Sequence, residues 1–283
     1  MGVLINEFAT GLPHARLRPY VSEYSGYRIV GAEPGLHMGL PSRSLTFIVA
    51  FDEPLDVTTA IDGPHRDTYW AMLGGLHDAP AVVRHDGRQH GVQLGVTPRG
   101  AAALFGVPAG ALASSVVHLD AIVPTFSAEL VDRLSEATTW AARWEVLDDV
   151  FLRQVCLDTS LPSELEHAWS LIVGRHGLMP VGRLADEVGW SRRHLGQRFT
   201  STFGLTPKVM SRVLRFERAK GLIQAPTRPS LSGVAAACGY ADQAHLTREW
   251  SAFAGSSPTR WMRDDTLVLL DDSIVRGTTL RDS

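Results

Sequence analysis

Two short polar stretches hold the residues best suited to chemistry. Arg192, Arg193, Gln197 and Arg198 fall within RRHLGQRF, and Gln243, His245, Thr247 and Arg248 fall within QAHLTREW. These side chains are hydrogen-bonding forks rather than nucleophiles or matched acid–base pairs. Arg can donate two parallel bonds to guanine O6 and N7, and Gln can form two with adenine N6 and N7. At helical spacing Arg193 and Gln197, four apart, share a face, while Leu195 and Phe199 turn inward. In the second stretch Gln243 and Arg248 are the best base readers. His245 is a further candidate, and Thr247 is better suited to a phosphate. A lone polar helix with such residues is more often a solvated face; what changes the reading is that the arrangement occurs twice.

The repeat supplies the elements that would position these residues. Its first copy is VGRLADEVGWSRRHLGQRFTSTFGLTP, residues 181–207, and its second is LSGVAAACGYADQAHLTREWSAFAGSSP, residues 231–258. Each copy has a small apolar helix, a Gly-aromatic pair (Gly189-Trp190, Gly239-Tyr240), a polar helix containing His-Leu, and a small-residue end closed by Pro. Glycine at the junction can adopt positive φ and start the next helix at a steep angle. Ser191 and Asp242 stand where a side-chain oxygen can satisfy free N–H groups of the following helix. This is the spacing of a helix-turn-helix, used twice. Between the copies, PKVMSRVLRFERAKGLIQ places Val209, Val213, Phe216, Lys220 and Ile223 along one side of a helix, with Arg212, Arg215 and Arg218 elsewhere. Such a connector is stiff enough to hold two readers about one DNA turn, roughly 34 Å, apart.

These residues resemble the two-motif DNA-binding domain of the AraC/XylS transcriptional regulators. The resemblance covers about Pro162 to Arg263 and rests on GYADQAHLTREW followed by GSSPTRW. The stretch GLHDAPAVVRHDGRQHGVQLGVTPRGAAALFGVPAGAL is similar to the sensor region of an actinobacterial branch of that family. The resemblance implies a one-component regulator in which a non-catalytic sensing or dimerising domain precedes the DNA reader. Its partners would be double-stranded DNA, a small-molecule effector and, for an activator, RNA polymerase. Activation is the commoner role in the family. Gly196 departs from the family pattern, standing where a longer side chain often makes contact, so the first motif is expected to lean on phosphates more than on bases.

Charge divides the chain in the same place. The 283 residues carry a net charge of −3. Residues 1–160 hold 11 Lys and Arg against 18 Asp and Glu, whereas residues 161–265 hold 14 against 9. Polyanion binding therefore belongs to the second half. Over residues 44–98, short runs (SLTFIVAF, DVTTAI, TYWAML, AVVRH, HGVQLGV) alternate with turn signals. From about Ala101 the pattern becomes helical, and Trp140, Trp144, Leu147, Phe151 and Val155 form an apolar stripe. That stripe either packs onto the β part or forms the seam of a homodimer; packing is the simpler reading. The expected fold class is α+β: a β-rich barrel or sandwich with flanking helices over residues 1–158, then an all-α domain with two helix-turn-helix motifs over residues 162–265.

Other chemistry finds little support. His37, His65, His77, His85 and His90 show no closely spaced metal-ligand pattern, so no metal or cofactor is expected. An aromatic-lined ligand pocket involving Phe47, Tyr69, Trp70 or His77 would suit a small barrel. Cys156 and Cys238 form no CxxC pair and read as buried apolar residues. Neither a signal peptide nor a membrane span is visible, which implies a cytoplasmic, nucleoid-associated protein without membrane contact. The tail, residues 266–283, contains LVLLDDSIVRGTT, which resembles the phosphoribosyl-pyrophosphate motif of amidophosphoribosyltransferases. By that likeness Asp271 and Asp272 would hold ribose, and Arg276 to Thr279 a phosphate. The motif needs a parallel sheet around it, and no partner strands are available nearby, so a phosphoribosyl-binding enzyme is the alternative and not the expectation.

Overall fold

The computed structural model describes residues 4–59, 65–157 and 161–263; the phosphoribosyl-type tail motif lies outside them. Ten strands lie among these residues: β1 (Ile5–Gly11), β2 (Tyr24–Val30), β3 (Gly35–Gly39), β4 (Leu45–Ala50), β5 (Leu55–Thr59), β6 (His65–Tyr69), β7 (Ala71–Gly74), β8 (Ala81–His85), β9 (Arg88–Val96) and β10 (Val116–His118). They form two antiparallel sheets, ordered β1-β2-β9-β4-β7-β10 and β3-β8-β5-β6. The strands expected over residues 44–98 are present, with TYWAML split at Trp70 between β6 and β7. Strands β1, β2, β3 and β10 lie outside that window.

Period-two alternation decides what each face of the larger sheet touches. On β9, Val92 stands opposite Val49 and Leu94 opposite Phe47. These residues join a core with Leu104, Phe105, Leu130, Leu147 and Phe151. That core is closed by α1 (Pro98–Phe105), α2 (Leu119–Ile122), α3 (Pro124–Glu136) and α4 (Trp140–Gln154). The intervening residues of β9, Gln89, Gly91 and Gln93, face the other way. On that side Ile48, Ala50, Leu55, Val57, Tyr69 and Met72 pack between the two sheets.

Helix α4 settles on the larger sheet because two glycines leave room for its indoles. A Cβ at Gly26 would lie 2.4 Å from the Trp140 ring, and one at Gly11 would lie 2.6 Å from Trp144. Tyr24 adds a hydrogen bond from its hydroxyl to Asp148 at 2.8 Å. The stripe thus packs onto the β part, and a dimer seam built from the same residues loses Trp140, Trp144, Leu147 and Phe151 to contacts within the chain.

The helical part comprises α5 (Ser163–Gly174), α6 (Val181–Glu187), α7 (Arg192–Phe203), α8 (Pro207–Gln224), α9 (Leu231–Ala237), α10 (Gln243–Ala254) and α11 (Pro258–Trp261). Its centre is aromatic, with Phe199, Phe203, Phe216, Trp250 and Phe253 fully buried. It docks on the β part at several points. The backbone N–H of Arg43 donates to Glu217 Oε1 at 3.1 Å. The 3-10 turn Ala109–Leu112 approaches the end of α7 so closely that a Cβ at Gly110 would lie 2.3 Å from the Ser201 carbonyl oxygen. Cys238 is buried, and burial pushes its thiol up to about 11. Cys156, by contrast, is exposed, because it follows the end of α4 on the surface; the expectation of two buried cysteines fails there. No helix among the described residues is long and apolar enough to cross a membrane, and no cluster of metal-ligating side chains occurs among them.

Candidate nucleic-acid interface

The two motifs are built by the same local devices. Gly189 and Gly239 both lie in the left-handed region, with φ of +70° and +71°. The following Trp190 and Tyr240 donate their N–H groups back to the Ala185 and Ala235 carbonyls, each at 2.9 Å. Ser191 then caps α7 by accepting from the His194 N–H at 3.2 Å, and Asp242 caps α10 by accepting from the His245 N–H at 2.6 Å. Both helices end on a left-handed glycine, Gly204 and Gly255. Superimposing the caps makes Arg192 equivalent to Gln243, Gln197 to Arg248 and Arg198 to Glu249.

Leu195 and Phe199 of α7, and Leu246 and Trp250 of α10, are fully buried, so the opposite faces look outward. Arg192, Arg193, Gln197, Arg198, Gln243 and Arg248 are all exposed, while His245 and Thr247 are half-buried. The four arginines make no ion pair among the described residues, which leaves their forks available to an external acceptor. Arg192 leans back over α6, where a Cβ at Gly182 would lie 2.6 Å from its guanidinium.

His245 is committed to its own turn. Its Nδ1 accepts from the Ala241 N–H at 3.3 Å, and its ring stands edge-on to Tyr240 at 5.4 Å. His194 repeats the contact against Trp190 at 4.6 Å. Each histidine therefore pins the turn ahead of its helix, leaving Nε2 as the outward-going donor of His245.

The arginines of α8 have a different task from those of α7. Arg212 Nε donates to Glu249 Oε1 at 2.9 Å, and Arg215 lies 3.7 Å from Glu249 Oε2. Arg212 also sits over Phe253, and Arg215 over Tyr240. Together they clamp α10 onto α8. Glu249 was not foreseen from sequence, although it is the single acid on either α7 or α10 and stands where the first copy has Arg198.

Two solvent-facing helices carrying bidentate donors, each held by a capped turn and joined by the 18-residue helix α8, give the helical part the geometry of a paired helix-turn-helix. Residues 184–264 match a family profile described as a helix-turn-helix domain. Among solved structures, the chain is similar to ToxT from Vibrio cholerae O395, with 9% identity over 88% of this chain and 99% of that one at a TM-score of 0.50. It is equally similar to ToxT bound to (E)-4-(8-methylnaphthalen-1-yl)but-3-enoic acid, with 10% identity over 86% and 98% at a TM-score of 0.50. The DNA-binding domain of AdpA in complex with a target DNA aligns at 25% identity over 36% of this chain and 93% of that one, with a TM-score of 0.34. No curated protein matches the chain significantly. Residues 184–264 thus form a helix-turn-helix domain, and the chain as a whole shares its fold with ToxT.

Proposed function

We propose that α7 and α10 enter two adjacent major-groove segments on one side of a duplex. Arg193, Gln197, Gln243 and Arg248 would be the base readers, and Arg192, Arg198 and Thr247 would hold phosphates. His245 takes a secondary part through Nε2. The observation that carries this reading is the equivalence of Gln197 and Arg248, two exposed bidentate side chains at one position of two identically capped helices. Phosphate contacts would make affinity fall steeply with salt, while the base contacts carry discrimination. The protein acts by binding and not by catalysis, in the cytoplasm and on the nucleoid. Residues 1–158 serve as the sensor and 162–265 as the reader. Activation, with RNA polymerase as a second partner, follows the family habit, and any homodimer would use a surface other than the α4 stripe.

The slot between the two sheets is the natural place for an effector, and the ligand-bound ToxT of similar fold supports a small molecule in that role. The deciding experiment is selection from randomised duplex DNA with the wild-type protein and Arg248→Ala at one salt concentration. A bipartite motif spanning two major-groove segments, with one half lost in the variant, is the expected outcome. An unchanged motif in Arg248→Ala would remove α10 as a base reader.

A further inference from the structure

The slot between the sheets carries more information than its existence. It is lined by apolar side chains such as Leu40, Ile48, Leu55, Val57 and Met72 and has a cavity volume of about 80 Å³. One water needs roughly 10–15 Å³ on the same measure, so the slot takes a slim molecule of fragment size. No Lys, Arg, Asp or Glu stands among its described lining residues. His77, at one end, is held below its ordinary pKa by burial and is therefore uncharged at neutral pH.

One strand brings an unusual group to this apolar space. The inward face of β9 reads Gln89, Gly91, Gln93, because the alternation that sends Val92 and Leu94 to the helix core sends these residues the other way. Gln89 is 8% exposed, and neither its Oε1 nor its Nε2 has a hydrogen-bond partner. A buried amide left unpaired is costly, and such groups are rare in folded proteins. The side chain offers an adjacent donor and acceptor, so the partner that satisfies both must itself present an acceptor beside a donor.

The surroundings disfavour an anionic partner. A second, wider recess shares Tyr27, Leu55, Val83 and Gln89 with the slot. The cations at its rim are already paired, Arg84 with Asp56 and Arg88 with Glu53. Asp86, also at that rim, adds negative charge. A carboxylate ligand would meet no free cation among the described residues here and would bring no donor to Gln89.

Resting on the reading of the β part as an effector domain, we propose that the slot binds a neutral, largely apolar molecule bearing an amide-type edge. A carboxamide, lactam or imide would pair with both atoms of the Gln89 side chain. The test is saturation-transfer NMR and thermal melting of the full chain with hexanamide, hexanoate and 1-hexanol at neutral pH, on wild type and Gln89→Met. Hexanamide is expected to bind, with at least about tenfold weaker binding in Gln89→Met, as loss of two hydrogen bonds implies. Hexanoate should not bind, and hexanol should bind no better than hexanamide does to Gln89→Met. Free of ligand, Gln89→Met should melt about 2–4 °C higher, because an unpaired buried amide has been replaced by an apolar chain of similar length. Equal binding of hexanoate or hexanol would overturn the amide edge while leaving an effector slot in place. A lower melting temperature for Gln89→Met would show the amide partnered within the fold and would also overturn the proposal. Binding of none of the three would remove the slot itself as the effector site, without touching the DNA reading, which the duplex selection judges separately.

Discussion

At the scale of single residues, exposure separates side chains that look alike on paper. Arg212, Arg215 and Arg248 are all arginines of the helical part, yet the first two are spent on Glu249 and only Arg248 projects freely. On the proposed reading, Arg248→Ala should cost about 1–3 kcal/mol of discrimination at one base pair of the site, measured by competition binding between the selected site and single-base variants. Glu249→Gln should act differently. It keeps the shape of the side chain but removes the charge that holds two part-buried guanidinium groups, so a loss of about 1–3 kcal/mol of stability is expected by denaturant unfolding. An unchanged midpoint would mean that the clamp contributes nothing. The forks of α7 and α10 were legible in the sequence because local spacing alone puts them on one face. Glu249 was not, because its partners Arg212 and Arg215 lie 37 and 34 residues away and no local pattern reports such a pairing. His245 was half legible: its position was clear, but its tie to Tyr240 depends on how the turn folds.

At the scale of elements, the starts of α7 and α10 were readable, because Ser191 and Asp242 mark them chemically, while their ends on the left-handed Gly204 and Gly255 come from the structure. The early strands were not. On β1 the residues facing out and in do not alternate cleanly, since it is an edge strand half covered by indoles, and β3 is five residues bounded by Gly35 and Gly39. The paired sheet, rather than the local sequence, makes them strands. The glycines of these elements are not equivalent either. Gly196 lies inside α7 with no atom near its missing Cβ, so Gly196→Ala removes only the entropy that glycine costs a helix. We expect about 0.5–1 kcal/mol of added stability, seen as a higher melting temperature with the selected DNA motif unchanged. A change in the motif would show that the gap at Gly196 itself takes part in reading.

At the scale of the whole molecule, the β part and the helical part touch where a ligand in the slot would be felt, because α7 and α10 end close to its walls. A Cβ at Gly204, on which α7 ends, would lie 2.1 Å from Ala113, and one at Gly255, its counterpart at the end of α10, would lie 2.9 Å from Met38. Met38 lines the slot, and Ala113 precedes its lining residues Ser114 and Ser115. The β part also sets a pH limit. Burial holds His77, His85 and His90 below their ordinary pKa, so the unfolded chain takes up these protons first as pH falls. Stability is then full above about 6.5 and declines below it; melting temperature against pH should show this fall, and His85→Gln should shrink it.

The docking itself can be broken without altering either partner's own backbone conformation. Gly110 has no positive φ, so Gly110→Val strains only the contact with Ser201, where the added Cβ would meet backbone of α7 at 2.3 Å. Because the atoms met are backbone and not a flexible side chain, something must shift, and loosening of the contact between the two parts is the expected outcome. Calorimetry should then resolve two unfolding transitions where the wild type shows one. The variant should still select the same DNA motif, since the outward faces of α7 and α10 are untouched. What it should lose is any change of DNA affinity when a ligand fills the slot, because Ala113 and Met38 would no longer press on the ends of the reading helices. If the ligand response survived in a chain whose transitions had separated, the signal would have to travel by a route other than these two glycine contacts.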